Sequence, residues 1–221
     1  MLSKRLLEIA KLVDENKVVY DVGSDHGLLP CFLVKENICP KAYAVDNKIG
    51  PLNRAKEAIK EYKLEDKVIP ILSNGIDDVK DDVDIITIAG MGYYTVADIL
   101  KDKDIFKYKF IIQVNKDVEE LRRFISENNY TIINEKIVKE GHYYEIVVFD
   151  CKHHNSYSDI EIKYGPILLK NKEALFIEYL EFTRDKYLNI YKERNILDCF
   201  KKAQEISNVL DIINEVNTRG E

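Results

Sequence analysis

Apolar residues recur at helical spacing at the start of the chain, at Leu2, Leu6, Ile9, Ala10 and Val13, with Ser3 placed to cap the first turn. This pattern predicts a short amphipathic helix. The period then changes. Residues 17–21, 42–46, 68–72, 84–89 and 110–114 are short, nearly continuous apolar runs that read as buried strands. Between and after them, residues 28–35, 51–62, 94–100 and 118–127 carry helical patterns.

Strands of this kind alternating with helices predict a parallel sheet covered on both faces. The end of the alternation differs. Residues 130–138 and 143–149 flank Lys139-Glu-Gly-His142 and read as an antiparallel hairpin. A mostly parallel sheet closed by such a hairpin is the usual arrangement of class I, Rossmann-like methyltransferases, whereas a dinucleotide-binding dehydrogenase more often continues with parallel strands. The expected fold class is therefore α/β of that kind.

Residues 151–162 are polar, include His153 and His154, and read as a linker, with a turn at Tyr164-Gly-Pro166. From Asn171 to about Val216 there is no Gly or Pro, and apolar residues recur at spacings near three, four and seven. That stretch predicts a C-terminal helical hairpin or coiled coil, reversing somewhere between residues 195 and 198. Two units are expected, residues 1–152 and 163–221.

Composition narrows the classes. With 46% hydrophobic and 33% charged residues the chain is globular rather than disordered. A formal charge of -6 argues against non-specific polyanion binding while leaving room for a local RNA-binding patch. No run reaches about 18 uncharged apolar residues, so a cytoplasmic location is expected. Cys31, Cys39, Cys151 and Cys199 form no C-x-x-C and read as free thiols, and no metal site is expected.

The chemistry concentrates at strand ends. Asp21-Val-Gly-Ser-Asp-His-Gly27 follows the first strand, where Gly23 and Gly27 let the backbone approach a ligand and the next helix directs free N–H groups towards it. The turn departs from G-x-G-x-x-G. Asp21 and Asp25 would repel a pyrophosphate but stabilise the cationic sulfonium and amino group of S-adenosylmethionine, which favours that cofactor over NAD. Ser24 and His26 lie in the same turn. Asp46 ends the second strand, where an acid accepts ribose hydroxyls or caps the following helix. Asn74 can pair with an adenine edge or simply form an Asn-Gly turn. Gly90, in Ile88-Ala-Gly-Met-Gly92, allows close approach of substrate and methyl donor. Gln113 and Asn115 close the fifth strand as candidates for holding a nucleobase, or as strand-end caps. Lys4 and Arg5 are candidate phosphate contacts or part of a solvated face. His142, His153 and His154 read as surface residues.

Taken in order, Leu2-Ser-Lys-Arg-Leu6, Asp21-Val-Gly-Ser-Asp-His26, Leu29-Pro-Cys31, Gly50-Pro-Leu52, Thr87-Ile-Ala-Gly-Met-Gly92, Gln113-x-Asn115, Tyr144-Glu-Ile146 and Gly165-Pro166 resemble the bacterial tRNA (adenine(22)-N1)-methyltransferase family. The resemblance spans essentially the whole chain. Two segments depart from the family's usual form, with Tyr93 where Gly is usual and Val114 where Pro is usual. The resemblance implies methyl transfer from S-adenosylmethionine to N1 of adenosine 22 in tRNA; no obligate protein partner is evident in the sequence, and a monomer or homodimer is expected. It also implies a cofactor turn at Gly23, Ser24, Asp25 and His26, a ribose acid at Asp46 and an adenine contact at Asn74. In that setting Asp25, Gln113 and Asn115 are the catalytic candidates, and Met91 and Tyr93 join Lys4 and Arg5 as candidate RNA contacts. Methylation of another RNA or small substrate, NAD-dependent oxidoreduction and RNA binding without catalysis are the alternatives.

Overall fold

Seven strands form one sheet in the order β3-β2-β1-β4-β5-β7-β6. They are β1 (Val19–Val22), β2 (Ala42–Asp46), β3 (Val68–Leu72), β4 (Ile85–Met91), β5 (Lys109–Val114), β6 (Thr131–Glu140) and β7 (His142–Asp150). The computed structural model describes residues 2–152 and 155–218, so His153 and His154 lie outside the described residues. The first five strands are parallel, and β7 runs antiparallel to both β5 and β6. Strands β1 and β2 are buried throughout, which explains their unbroken apolar runs. β3 is an edge strand and carries Pro70, tolerated there because an edge leaves one side of the ladder unpaired.

Helix α1 (Lys4–Lys11) precedes β1, and α2 (Leu28–Lys35), α3 (Ile49–Glu61), α4 (Tyr93–Leu100) and α5 (Val118–Glu127) lie in connections between strands. Ser3 caps α1, its hydroxyl accepting from the Leu6 N–H at 3.2 Å. Strand β4 runs two residues past its expected end because a bulge at Gly90 absorbs a register shift: Ala89 pairs with Gln113 and Met91 with Val114. Gly90 has φ +81, a conformation that favours glycine. The antiparallel hairpin turns at Gly141, φ +71.

The expected linker is partly helical. Helix α6 (Asp159–Tyr164) begins inside it, with the Glu161 carboxylate accepting from the Ser158 N–H at 2.9 Å, a capping box within a polar stretch that shows no apolar period. Gly165, φ +89, ends α6, and α7 (Pro166–Asn171) follows at once. The chain divides into two units, Met1–Gly165 and Pro166–Glu221. In the second, α8 (Ala174–Arg194) and α9 (Leu197–Thr218) pack together, with the Tyr191 and Phe200 rings 4.9 Å apart. They reverse at Asn195 in the left-handed region, which Asn tolerates better than most residues.

Candidate active site

The carboxyl ends of β1, β2, β3 and β4 open on one cavity of about 680 Å³, a size suited to a small-molecule ligand. Its first wall is the turn after β1. Asp21 is buried beside Thr87 of β4, and the Thr87 hydroxyl donates to it at 2.6 Å. Burial pushes the Asp21 carboxyl up to about 6, against the Ser24 and Thr87 hydroxyls, which favour the charged form. Among the described residues the buried Ser24 hydroxyl nevertheless has no full hydrogen bond, a polar group left for a ligand. Gly23 has φ +73, its N–H and that of Ser24 both donate to the Val45 carbonyl at 2.9 Å, and the Met91 methyl packs over it.

Asp25 lines the cavity and accepts from Arg54 of α3 at 2.6 Å. His26 is half exposed, 3.7 Å from Asp25, and is not among the lining residues. Asp46 is buried at the end of β2, with one oxygen accepting from the Lys48 N–H at 2.9 Å. Its second oxygen has no hydrogen bond among the described residues. Ser73, Asn74 and Gly75 follow β3, and Ala89, Gly90 and Met91 are the last residues of β4. Thr95, Asp98 and Ile99 of α4 complete that side, and Arg5 with Leu6 of α1 the other.

Behind this wall lies a polar network. Gln113 is fully buried, and its carbonyl accepts from the Arg5 guanidinium and from the Gly90 N–H at 3.1 Å. Its amide donates to Asn115 at 3.2 Å, and Asn115 donates to the Gly90 carbonyl at 2.6 Å. Both Gly90 peptide groups are thereby clamped. Arg5 also lies over the Tyr144 ring, 5.4 Å from its centroid. Glu140 of the hairpin accepts from the backbone N–H groups of Lys4 and Arg5 at 2.9 and 3.2 Å, which holds its carboxyl below the usual range and sets the start of α1.

The structure therefore brings Arg5, Asp21, Gly23, Ser24, Asp25, Asp46, Asn74, Gly90 and Met91 to one cavity. Gln113 is buried behind it, Asn115 is exposed and not among the lining residues, and Lys4 is exposed. Tyr93 pairs with Tyr94, ring centroids 5.4 Å apart, and its hydroxyl is raised chiefly by burial and then by Glu120 of α5. Thr95, Asp98, Ile99, Arg54 and Glu140 were not singled out from the sequence. Only the α4 group had a local signal, a helix beginning directly after the glycine-rich end of β4. Among the described residues no cluster of His, Cys, Asp and Glu is suited to a metal, and no helix is long and apolar enough to cross a membrane.

A family model described as a methyltransferase domain matches residues 2–147. The tRNA (adenine(22)-N(1))-methyltransferase of Bacillus subtilis (strain 168) is 30% identical, over 99% of this chain and 98% of its own. A protein of the NADB-Rossmann superfamily from Streptococcus agalactiae superposes with a TM-score of 0.87 at 31% identity, covering 95% of this chain and 97% of that one. M. capricolum TrmK, in complex with S-adenosyl-homocysteine, superposes with a TM-score of 0.81 at 31% identity, covering 97% and 98%. Likeness that extends over nearly the whole chain, from the first helix through the C-terminal hairpin, makes this chain a member of the tRNA (adenine(22)-N1)-methyltransferase family.

Proposed function

We propose that this chain methylates N1 of adenosine 22 in tRNA, with S-adenosylmethionine as donor and S-adenosylhomocysteine as product. The observation that carries this reading is the pairing of two buried carboxylates, Asp21 and Asp46, at adjacent strand ends of one cavity. That charge suits a cationic nucleoside and opposes a pyrophosphate. When bound, S-adenosylmethionine supplies a methyl group on positively charged sulfur, and adenine N1 offers a free lone pair, so alignment matters more than deprotonation.

The chain's residues divide the work of binding and alignment. The free oxygen of Asp46 accepts from ribose hydroxyls, and Asn74 meets the adenine edge. Asp21 and the Ser24 hydroxyl hold the cationic amino-acid end, and Gly23 and Gly90 let the backbone close on it. His26 contributes the tight backbone of the turn, at φ 64. Gln113, fully buried, acts on the reaction by fixing the Gly90 N–H and the Arg5 guanidinium, and Asn115, exposed at the end of β5, fixes the Gly90 carbonyl and is placed to meet the base. Asp25 faces the cavity and stabilises the positive charge that develops on the methylated ring, or takes its N6 proton, while Arg54 sets its orientation. Lys4, Arg5, Met91 and Tyr93 flank the approach of the RNA. The reading is tested by incubating the purified chain with labelled S-adenosylmethionine and unmodified tRNA, then mapping the modified nucleoside. Label in 1-methyladenosine at position 22 is expected; unlabelled tRNA with a folded protein overturns the proposal.

A further inference from the structure

Four carboxylates line the cavity, and three are engaged: Asp21 by Thr87, Asp25 by Arg54, and Asp46 by the Lys48 N–H. The fourth, Asp98 of α4, is exposed and has no hydrogen-bond or ion-pair partner among the described residues. Its neighbour Ile99 closes on Gly75, where an added Cβ would come within 2.8 Å of the Ile99 side chain. Asp98 thus belongs to the wall that meets the Asn74-Gly75 turn after β3. The sheet order β3-β2-β1 places that turn on one side of Asp46 and Gly23 on the other. A nucleoside held at its ribose by Asp46, with its 5′ substituent running towards Gly23, has its base at the Asn74 end.

We propose that Asp98 accepts a hydrogen bond from the exocyclic amino group of the cofactor's adenine and makes the cavity selective for a 6-aminopurine over a 6-oxopurine. This rests on the S-adenosylmethionine reading above. The Asn74 amide both donates and accepts, so it satisfies either base edge, whereas a carboxylate only accepts and opposes a carbonyl oxygen. Discrimination therefore falls to the acid.

The test is equilibrium binding of S-adenosylhomocysteine and its 6-oxopurine counterpart, S-inosylhomocysteine, to the full-length parent, Asp98→Asn and Asp98→Ala, by calorimetry. The parent prefers the amino ligand by about tenfold or more, the scale of a hydrogen bond to a charged group. In Asp98→Asn the preference collapses, mainly through affinity gained for the oxo ligand, because an amide can donate to it. In Asp98→Ala it collapses through affinity lost for the amino ligand. Melting temperatures stay at the parent value, since the side chain is exposed. Equal binding of both ligands by the parent, or a parent-like preference in both variants, overturns the proposal. If the parent binds neither ligand, the cofactor reading fails and this proposal fails with it.

Discussion

Asp21 shows how much a single residue's surroundings decide. Its carboxyl, raised by burial from the ordinary 3.8 to about 6, binds a proton more tightly in the native protein than in the unfolded chain. Between those two values stability therefore falls as pH rises, and above about 6 the ionised group costs a constant amount, roughly 3 kcal/mol. A cationic ligand reverses the preference by favouring the carboxylate. Affinity for S-adenosylmethionine should accordingly rise with pH through about 6 in the parent, and be weaker and flat with pH in Asp21→Asn, whose unfolding midpoint at neutral pH should be higher. Calorimetric titrations across that range check this, and a pH-independent parent removes Asp21 from the ligand's surroundings. Gln113 carries the opposite lesson. Polar residues at a strand end read as ligand contacts, yet a fully buried amide must spend its polar atoms on whatever faces it. Here those are Arg5, Gly90 and Asn115.

The β6–β7 hairpin, at the scale of the element, does more than close the sheet. Glu140 fixes the start of α1, more than a hundred residues away in sequence, and so places Arg5 against the cavity. Further along the same hairpin, Glu135 and Glu145 enclose the fully buried Arg122 of α5 at 2.7 and 2.5 Å, and Arg122 also donates to the Lys163 carbonyl of α6 at 3.3 Å. Gly165 completes the group: its φ is +89, and a Cβ there would lie 2.7 Å from both Glu135 oxygens. This accounts physically for Tyr144-Glu-Ile146 and Gly165-Pro166, which were visible as motifs but had no assigned chemistry. Glu145 still balances the Arg122 charge when Glu135 is removed, but the buried Arg122 Nε–H loses its acceptor, so Glu135→Ala should cost about 1–3 kcal/mol in urea unfolding. Under native conditions the cofactor affinity of Glu135→Ala should stay near the parent's, because the triad does not line the cavity. A loss below about 1 kcal/mol would mean the group is replaceable packing.

The whole chain has two units, and only the first contains the cavity. We propose that the helical hairpin, longer than methyl transfer to a small molecule needs, helps to hold tRNA. Truncation after Gly165 should leave S-adenosylmethionine affinity within about twofold and weaken tRNA binding by about tenfold or more. Intact tRNA binding by a folded truncated protein would make the hairpin a brace or a dimer contact. The order of elements, the parallel sheet with its terminal hairpin, the helical C-terminal segment and most of the cavity's acids and glycines were determined by the sequence alone. Periodicity, caps and strand-end turns are local properties, and a parallel sheet gathers its strand ends on one side. The tertiary structure decided which polar atoms were already consumed. Arg54 turns to Asp25, Glu140 to the start of α1, Glu135 and Glu145 to Arg122, and Gln113 inward, while Asp98 is left free on the cavity wall. Those pairings join residues distant along the chain, and whether a side chain faces a ligand or a neighbour is settled only when the elements that carry both have packed.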